Sequence, residues 1–180
     1  MEFSISAYSF YQTNTKGAEI LYSIVKDFVG DTKDKVVFDL YCGTGTISII
    51  VSENAKKVIG IELVEEAVEA AKENARNNNI ENCEFYAGDV LNEVDRIDGK
   101  PDVIVVDPPR DGIHPKAIHK IINFGSKEIV YVSCKPTSLA RDLQIFTENG
   151  YEVKRVKCVN QFPRTVHVET VCLLSRTPRI

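Results

Sequence analysis

The stretch KVVFDLYCGTGTISII, residues 35–50, decides how this chain folds. An apolar run with strand character leads directly into a turn with two glycines and then into a helical pattern. Gly43 and Gly45 allow the backbone to turn sharply and to approach a ligand closely. Ligands of open parallel sheets bind beyond the carboxyl ends of the strands. The stretch therefore predicts a strand–turn–helix unit that can bind a ligand at its turn, although such units need glycine turns for structural reasons as well.

Apolar runs and helical patterns alternate on both sides of this unit. Strands are predicted over 35–40, 56–63, 83–89, 101–109, 127–134, 151–162 and 166–176, and helices over 16–29, 46–55, 64–79, 115–124 and 136–150. Repeated βαβ units with continuous apolar strands predict a parallel sheet that is covered by helices on both faces. The last two strands have no helix between them, which predicts an antiparallel pair. We expect one α/β domain over residues 1–180, with 1–15 as a poorly patterned lead-in.

The composition is that of an ordinary soluble globular protein, with 43% hydrophobic and 27% charged residues among 180. No apolar stretch approaches ~20 residues, so we expect no membrane-spanning helix. The first residues lack the basic-then-apolar pattern of a secretory signal. The cysteines are odd in number and form no C-x-x-C pair, which argues against a disulfide framework and against a metal site. These observations predict a cytoplasmic protein with no metal and no membrane partner.

The net charge of −4 is unevenly distributed. Residues 1–89 contain 8 Lys/Arg against 15 Asp/Glu, whereas residues 90–180 contain 14 against 11. A chain that bound nucleic acid strongly by itself would usually be more basic. We therefore expect the basic second half to guide a nucleic-acid substrate without holding most of it.

Acidic residues end the two strands that follow the glycine turn. Glu62 ends the strand over 56–63, where its carboxylate can accept hydrogen bonds from ribose hydroxyls. Asp89 follows the next strand, where it can accept a hydrogen bond from an adenine amino group or cap the following helix. Both NAD and S-adenosylmethionine suit this geometry. Ser48 stands where a G-x-G-x-x-G motif would need its last glycine, which favours S-adenosylmethionine.

A cysteine follows the fifth predicted strand, and an aspartate follows the fourth. Asp107 begins the sequence DPPR, and Cys134 should lie beside it at the same edge of the sheet. Pro136 begins a helix whose dipole points at the cysteine, and Lys135 is adjacent. Both features favour thiolate over thiol. A buried cysteine at a strand end is the structural alternative, but packing alone needs neither a helix N-terminus nor a lysine.

A thiolate beside a methyl donor has a specific use in the chemistry of uracil. The C5 carbon of uracil is a poor nucleophile, and addition of sulfur to C6 turns the ring into an enolate whose C5 can attack a methyl group. The C5 proton must then be removed by a general base before the sulfur can leave. Glu169, in the last strand, is the candidate base because that strand should insert beside the fifth.

The motif series of this chain resembles that of the RNA 5-methyluridine methyltransferases. The similar motifs are SFYQTN (9–14), DLYCGTGT (39–46), GIE (60–62), DPPR (107–110), YVSCKPTSLARDL (131–143) and FPRTVHVE (162–169). The resemblance implies a Rossmann-like, S-adenosylmethionine-dependent methyltransferase fold with a seven-stranded, mostly parallel sheet and an antiparallel last strand. It implies that Cys134 is the nucleophile and Glu169 the base. Together with Gly43, the implied cofactor contacts are Gln12, Tyr41, Thr46, Glu62, Asp89 and Asp107.

The resemblance also predicts the partner. The motifs resemble those of the 23S ribosomal-RNA members more than those of the tRNA member, so we expect an RNA substrate that is ribosomal rather than transfer RNA. Members usually carry an N-terminal β-barrel RNA-binding domain, which we expect to be absent from these residues and to supply most of the RNA binding. A monomer is favoured.

Two other functions are compatible with parts of the pattern. Enzymes that make 5-methylcytosine in RNA typically place a second cysteine, in a Pro-Cys motif, after the fourth strand, where this chain has DPPR. A non-catalytic module that binds S-adenosylmethionine or RNA would not need both Cys134 and Glu169.

Overall fold

The computed structural model describes residues 14–93, 96–97, 99–165 and 167–177. Its strands are β1 (Val36–Leu40), β2 (Lys57–Glu62), β3 (Cys83–Ala87), β4 (Val103–Val106), β5 (Glu128–Ser133), β6 (Tyr151–Val159) and β7 (Glu169–Arg176). Its helices are α1 (Thr15–Val29), α2 (Thr46–Val51), α3 (Glu65–Asn77), α4 (Val90–Glu93), α5 (Pro115–Asn123) and α6 (Pro136–Glu148). Every predicted element is present, and α4 is an addition.

The strands form one seven-stranded sheet in the order β3-β2-β1-β4-β5-β7-β6. The first five strands are parallel to their neighbours in the sheet. The last strand, β7, is antiparallel to both of its neighbours, β5 and β6. The predicted fold class is confirmed. In the antiparallel pair of β6 and β7, the last strand, β7, lies inside the sheet and β6 forms its edge.

Both faces of the sheet are covered by helices. Successive residues of a strand point to opposite faces, so Val105 packs in the cluster formed with α1 and α2, whereas Val106 packs in the cluster formed with α5 and α6. Helix α3 covers the edge near β3, where Ala71 packs with Phe85. Burial on both faces explains why β4 is apolar at every position. Among the described residues, no helix is long and apolar enough to cross a membrane.

One helix boundary and one additional helix differ from the sequence-based prediction. Helix α2 ends at Val51 rather than at residue 55, because the Asn82 side chain donates hydrogen bonds to the carbonyl oxygens of Ser52 and Ala55, at 2.9 and 2.7 Å, and holds them in a turn. Helix α4 has four residues and begins where Asp89 accepts a hydrogen bond from the Leu91 amide at 2.9 Å. A helix of about one turn is too short to show a hydrophobic period.

Candidate functional site

The carboxyl edge of the parallel strands brings together the residues that the sequence singles out. These are Tyr41 after β1, Glu62 at the end of β2, Asp89 beyond β3, Asp107 after β4 and Cys134 after β5. Gln12 lies outside the described residues. The glycine turn and the cysteine therefore lie at the same edge of the sheet.

The glycine turn has the backbone that its sequence predicts. Gly43 and Gly45 have φ angles of 53° and 78°, a region that favours glycine. A Cβ at Gly45 would lie 2.9 Å from the Ala71 Cβ, so this glycine is also needed for close packing against α3. A Cβ at Gly43 would meet nothing within 4 Å, which leaves open space on the ligand side of the turn. Tyr41 shares the positive φ, at 68°, and Thr46 begins α2 immediately after the turn.

Glu62 fixes this turn from the neighbouring strand. One carboxylate oxygen accepts a hydrogen bond from the Gly43 amide and the other from the Val64 amide, each at 3.0 Å. A carboxylate has about four lone-pair directions, so both oxygens retain acceptor capacity for the hydroxyls of a ribose. Asp89 instead caps α4 through its Oδ1, which is the structural role that the sequence left open.

Asp39 is a site residue that the sequence analysis missed. It is fully buried in β1, its Oδ2 accepts a hydrogen bond from the Ser48 hydroxyl at 2.6 Å, and its Oδ1 has no hydrogen-bond partner among the described residues. Burial raises the pKa of Asp39 to about 6, with a further increase from the charge of Glu62 and an opposing effect of the Ser48 hydrogen bond. A buried carboxylate oxygen without a donor fits the ammonium group of an amino-acid cofactor such as S-adenosylmethionine. The available signal was the single acidic residue in the apolar run KVVFDL.

Cys134 and Glu169 are brought together by the antiparallel pairing of β5 and β7. The last paired residues of this ladder are Ser133 and Thr170, so the next position along it places Cys134 opposite Glu169. Glu169 is buried, with 3% of its surface exposed, and burial raises its pKa while the Arg110 charge opposes the increase. Asp107 lies close enough for the Glu169 charge to raise its pKa, which burial already places well above the usual range.

The thiol of Cys134 differs from the sequence-based expectation. Burial raises its pKa above the ordinary value, the charges of Glu169 and Asp107 raise it further, and a hydrogen bond and charge from Arg110 oppose them. The expectation that the local sequence favours the thiolate is therefore wrong. Lys135 is exposed, and the cation that interacts with the sulfur is Arg110 of the DPPR sequence.

The arrangement joins a cysteine, a buried glutamate and an open glycine turn at one edge of the sheet. Among the described residues, no group of three or more His, Cys, Asp or Glu side chains could hold a metal ion. The carboxylates at this edge instead provide hydrogen-bond acceptors for the hydroxyl and ammonium groups of a nucleoside amino acid.

Comparison with known proteins agrees with this chemistry. Residues 1–177 match the family model for tRNA (uracil-5-)-methyltransferases. An uncharacterized RNA methyltransferase of Clostridium tetani is 59% identical over 176 residues, which are 98% of this chain and 39% of that protein. One of Caldanaerobacter subterraneus subsp. tengcongensis is 56% identical over 177 residues, again 98% and 39%. The chain thus spans about two fifths of the length of these curated relatives.

This chain is also similar to a relative whose structure has been solved with a bound ligand. The tRNA (uracil-54, C5)-methyltransferase of Pyrococcus abyssi, in complex with S-adenosyl-L-homocysteine, is 33% identical and superposes with a TM-score of 0.84 over 96% of this chain and 41% of that one. A precorrin-6y C5,15-methyltransferase of Geobacter metallireducens has a TM-score of 0.78 at 14% identity, covering 97% of this chain and 94% of its own, and shares the fold alone.

Proposed function

The chain belongs to the tRNA (uracil-5-)-methyltransferase family, and from this premise we propose that it methylates C5 of a uridine in RNA through a covalent bond between Cys134 and C6 of the base. The observation that carries the proposal is the placement of Cys134 opposite the buried Glu169, at the edge that also holds the glycine turn. A methyltransferase that acts without a covalent intermediate needs neither residue there.

The residues at the edge fit S-adenosylmethionine, which when bound supplies an electrophilic methyl group. Glu62 accepts hydrogen bonds from the ribose hydroxyls, and the open side of Gly43 lets the backbone approach the cofactor. Asp39 offers its unpartnered oxygen to the ammonium group. Asp89 would accept a hydrogen bond from the adenine amino group. Asp107 follows β4, which lies between the strand that precedes the glycine turn and the strand that precedes the cysteine.

In the first step, the sulfur of Cys134 forms a bond with C6 of the uracil. The thiol loses its proton to solvent, which reaches the partly exposed Cys134. As the sulfur adds to C6, the electron pair of the C5–C6 double bond moves toward the O4 carbonyl, which makes C5 nucleophilic. Arg110 favours this step because its charge stabilises the thiolate form. Burial, followed by the charges of Glu169 and Asp107, raises the pKa of Cys134 and opposes this effect.

In the second step, once C5 has taken up the methyl group that the bound cofactor would supply, Glu169 accepts the proton from the methylated C5. Its raised pKa makes it a stronger base than an exposed carboxylate. The electrons of the C5–H bond restore the C5–C6 double bond as the C6–S bond breaks, and Cys134 is regenerated. Because Glu169 is buried, water has little access to the proton that is transferred.

The alternatives fit the site less well. The strand β4 ends at Val106 and continues as Asp107-Pro108-Pro109-Arg110, so the second cysteine of the 5-methylcytosine enzymes is missing from that position. A module that only bound S-adenosylmethionine would use the glycine turn and Glu62 but would have no need for a base beside Cys134.

Covalent capture tests the proposal directly. RNA transcribed with 5-fluorouridine has fluorine where the C5 proton would be removed, so we expect the adduct to persist and to migrate as a protein–RNA band on a denaturing gel. Replacing the exposed Cys158 with serine should leave the band unchanged. The test uses tRNA and ribosomal RNA, each transcribed with 5-fluorouridine, in the presence of S-adenosylmethionine. If neither RNA gives such a band, the covalent mechanism is wrong.

The class of RNA is decided by the same assay. The sequences of the motifs predict ribosomal RNA, whereas the matching family model and the Pyrococcus abyssi protein are named for tRNA. We retain ribosomal RNA as the proposed substrate. If both RNAs are transcribed with 5-fluorouridine and tRNA is captured in preference to ribosomal RNA, that choice is reversed and the mechanism is unaffected.

Glu62→Ala should weaken S-adenosylmethionine binding more than Asp89→Ala does. Charge-assisted hydrogen bonds from a carboxylate contribute about 1.5–3 kcal/mol, so the loss of the ribose contacts should raise Kd about ten- to a hundredfold. Glu62 also holds the Gly43 amide, whereas the described contact of the Asp89 side chain caps α4. Calorimetric titration of both variants measures the order, and a larger loss in Asp89→Ala would overturn these two assignments.

Binding of S-adenosylmethionine should weaken as the pH falls through 6. Burial gives Asp39 a pKa of about 6, so its carboxylate is ionised at pH 8 and mostly protonated at pH 5. If the ammonium group needs the ionised form, Kd should rise about tenfold between these values. Calorimetry at both pH values measures the change, and Asp39→Asn should bind weakly and lose most of this pH dependence. An unchanged pH dependence in Asp39→Asn would exclude the contact.

A further inference from the structure

A fully buried carboxylate in α6 lies outside the chemistry described so far. The Oδ2 atom of Asp142 accepts hydrogen bonds from the Ile113 amide and the Tyr131 hydroxyl, each at 2.7 Å. Its Oδ1 accepts two from Arg141, at 2.9 Å from Nε and 2.7 Å from Nη2. One carboxylate thus joins β5, α6 and the segment that follows β4.

Asp142 and its partner Arg141 also restrict the segment Asp107–Ile113, which we name the DPPR loop. Arg141 Nη2 donates a hydrogen bond to the Asp111 carbonyl oxygen at 2.7 Å. A Cβ at Gly112, whose φ is 78°, would lie 2.5 Å from the Asp142 Oδ2 and 2.6 Å from the Arg141 Nη2. The backbone of the DPPR loop therefore lies directly against the carboxylate, with no room for a side chain between them.

A second contact ties the DPPR loop to the residue after the cysteine. The Ser138 hydroxyl, in the first turn of α6, lies 2.8 Å from the Arg110 carbonyl oxygen and 3.0 Å from that of Lys135. Ser138 and Asp142 lie one helical turn apart in α6. Ser138 contacts Arg110 and Asp142 contacts Ile113, so both ends of the segment 110–113 of the DPPR loop are held by α6. The loop and the start of α6 are thereby fixed relative to each other.

We propose that Asp142 is a positioning residue for the nucleophile: it holds the DPPR loop against α6 so that the Arg110 guanidinium stays beside the Cys134 sulfur. The inference rests on the proposed role of Cys134. Asp142 itself does not touch the sulfur, which is faced by Glu169 from β7 and by Asp107 and Arg110 from the loop. Asp142 acts on the thiol only through Arg110.

The direction in which Asp142→Asn changes the pKa of Cys134 distinguishes a positioning role of Asp142 from a direct electrostatic one. Asp142→Asn removes a negative charge, which by itself would lower the pKa of a nearby thiol. Displacement of Arg110 would instead raise the pKa of Cys134, because the guanidinium opposes the effects of burial and the two carboxylates. We therefore expect the pH profile of Cys134 alkylation to move upward in Asp142→Asn.

The experiment measures the reaction of the folded 180-residue chain with iodoacetamide between pH 7 and 11, with mass spectrometry to isolate the peptide that contains Cys134. Only the thiolate reacts, so the alkylation rate at pH 8 should fall several-fold in Asp142→Asn. In an Arg110→Ala background the same substitution should cause no further upward shift, because the two residues act through one contact. An upward shift of the same size in that background would overturn the proposal, as would an unchanged profile in Asp142→Asn.

Two tyrosines provide a charge-neutral pair of variants in case Asp142→Asn does not fold. Tyr131→Phe removes one donor to Asp142, whereas Tyr151→Phe removes the equally buried bond of a tyrosine hydroxyl to the Ser126 carbonyl oxygen, at 2.8 Å. Both rings pack edge-on against Phe146. The upward shift is expected in Tyr131→Phe alone, and equal profiles for the two variants would contradict the proposal. The assay needs neither RNA nor cofactor, so its failure is separate from failure of the covalent capture.

Discussion

Replacing Cys134 with alanine should abolish methyl transfer to RNA while S-adenosylmethionine still binds. Without the sulfur no bond forms at C6, and C5 of the uracil remains a poor nucleophile. Loss of a covalent catalytic residue typically lowers kcat by roughly 10³–10⁶. Transfer of a radiolabelled methyl group, measured in the whole protein with any segments beyond this chain included, gives the rate, and calorimetry gives the cofactor affinity.

The matched control for this experiment is Cys158→Ser. Cys158 is an exposed cysteine of β6, on the far side of β7 from β5, and its replacement should leave the rate within about twofold of the wild type. Residual turnover of Cys134→Ala within tenfold of wild type would rule out the covalent mechanism. Loss of cofactor binding in the same variant would mean that Cys134 supports the pocket rather than the reaction.

Replacing Glu169 with glutamine should have the opposite effect on the intermediate. The amide has nearly the same shape but cannot accept the C5 proton, so attack at C6 and methyl transfer remain feasible while elimination is blocked. We expect a covalent protein–RNA species to accumulate with ordinary uridine RNA, without fluorine, and to be visible on a denaturing gel. Product release should fall by roughly 10²–10⁴, the usual contribution of a general base.

Glu128→Gln is the matched control, because Glu128 begins β5 and pairs with Ser175 at the opposite end of the same β5–β7 ladder. It should give normal turnover and no accumulated adduct. A Glu169→Gln protein that turns over normally would show that another group removes the proton. Accumulation in both variants would point to a general weakening of this pair of strands.

The sequence predicted the parts of the site that depend on backbone topology. Because strands of a parallel sheet end at one edge, Glu62, Asp107 and Cys134 could be placed together from their positions in the sequence. The insertion of the last strand beside the fifth placed Glu169 opposite Cys134, as the register shows. These predictions need only the order and direction of the strands.

The parts that depend on side-chain burial were not predictable in the same way. Asp39 and Asp142 are polar residues within buried surfaces, and their partners Ser48 and Ile113 are separated from them by nine and 29 positions. The direction of the Cys134 pKa shift depends first on burial and then on three charges that come from two other segments. Neighbouring residues in the sequence, such as Lys135, were a poor guide because their side chains point to solvent.

The position of β7 has a consequence for how the enzyme is made. In the sheet, β6 pairs with β7 alone, so β6 leaves the ribosome before its own partner exists. The β5–β7 pairing also requires residues 169–176, which follow β5 in the chain after α6 and β6. Cys134, the proposed nucleophile, is therefore synthesised before Glu169, the proposed base. In the proposed mechanism, a nascent chain without residues 169–176 lacks the group that would free RNA from an adduct, so turnover would require the complete sheet.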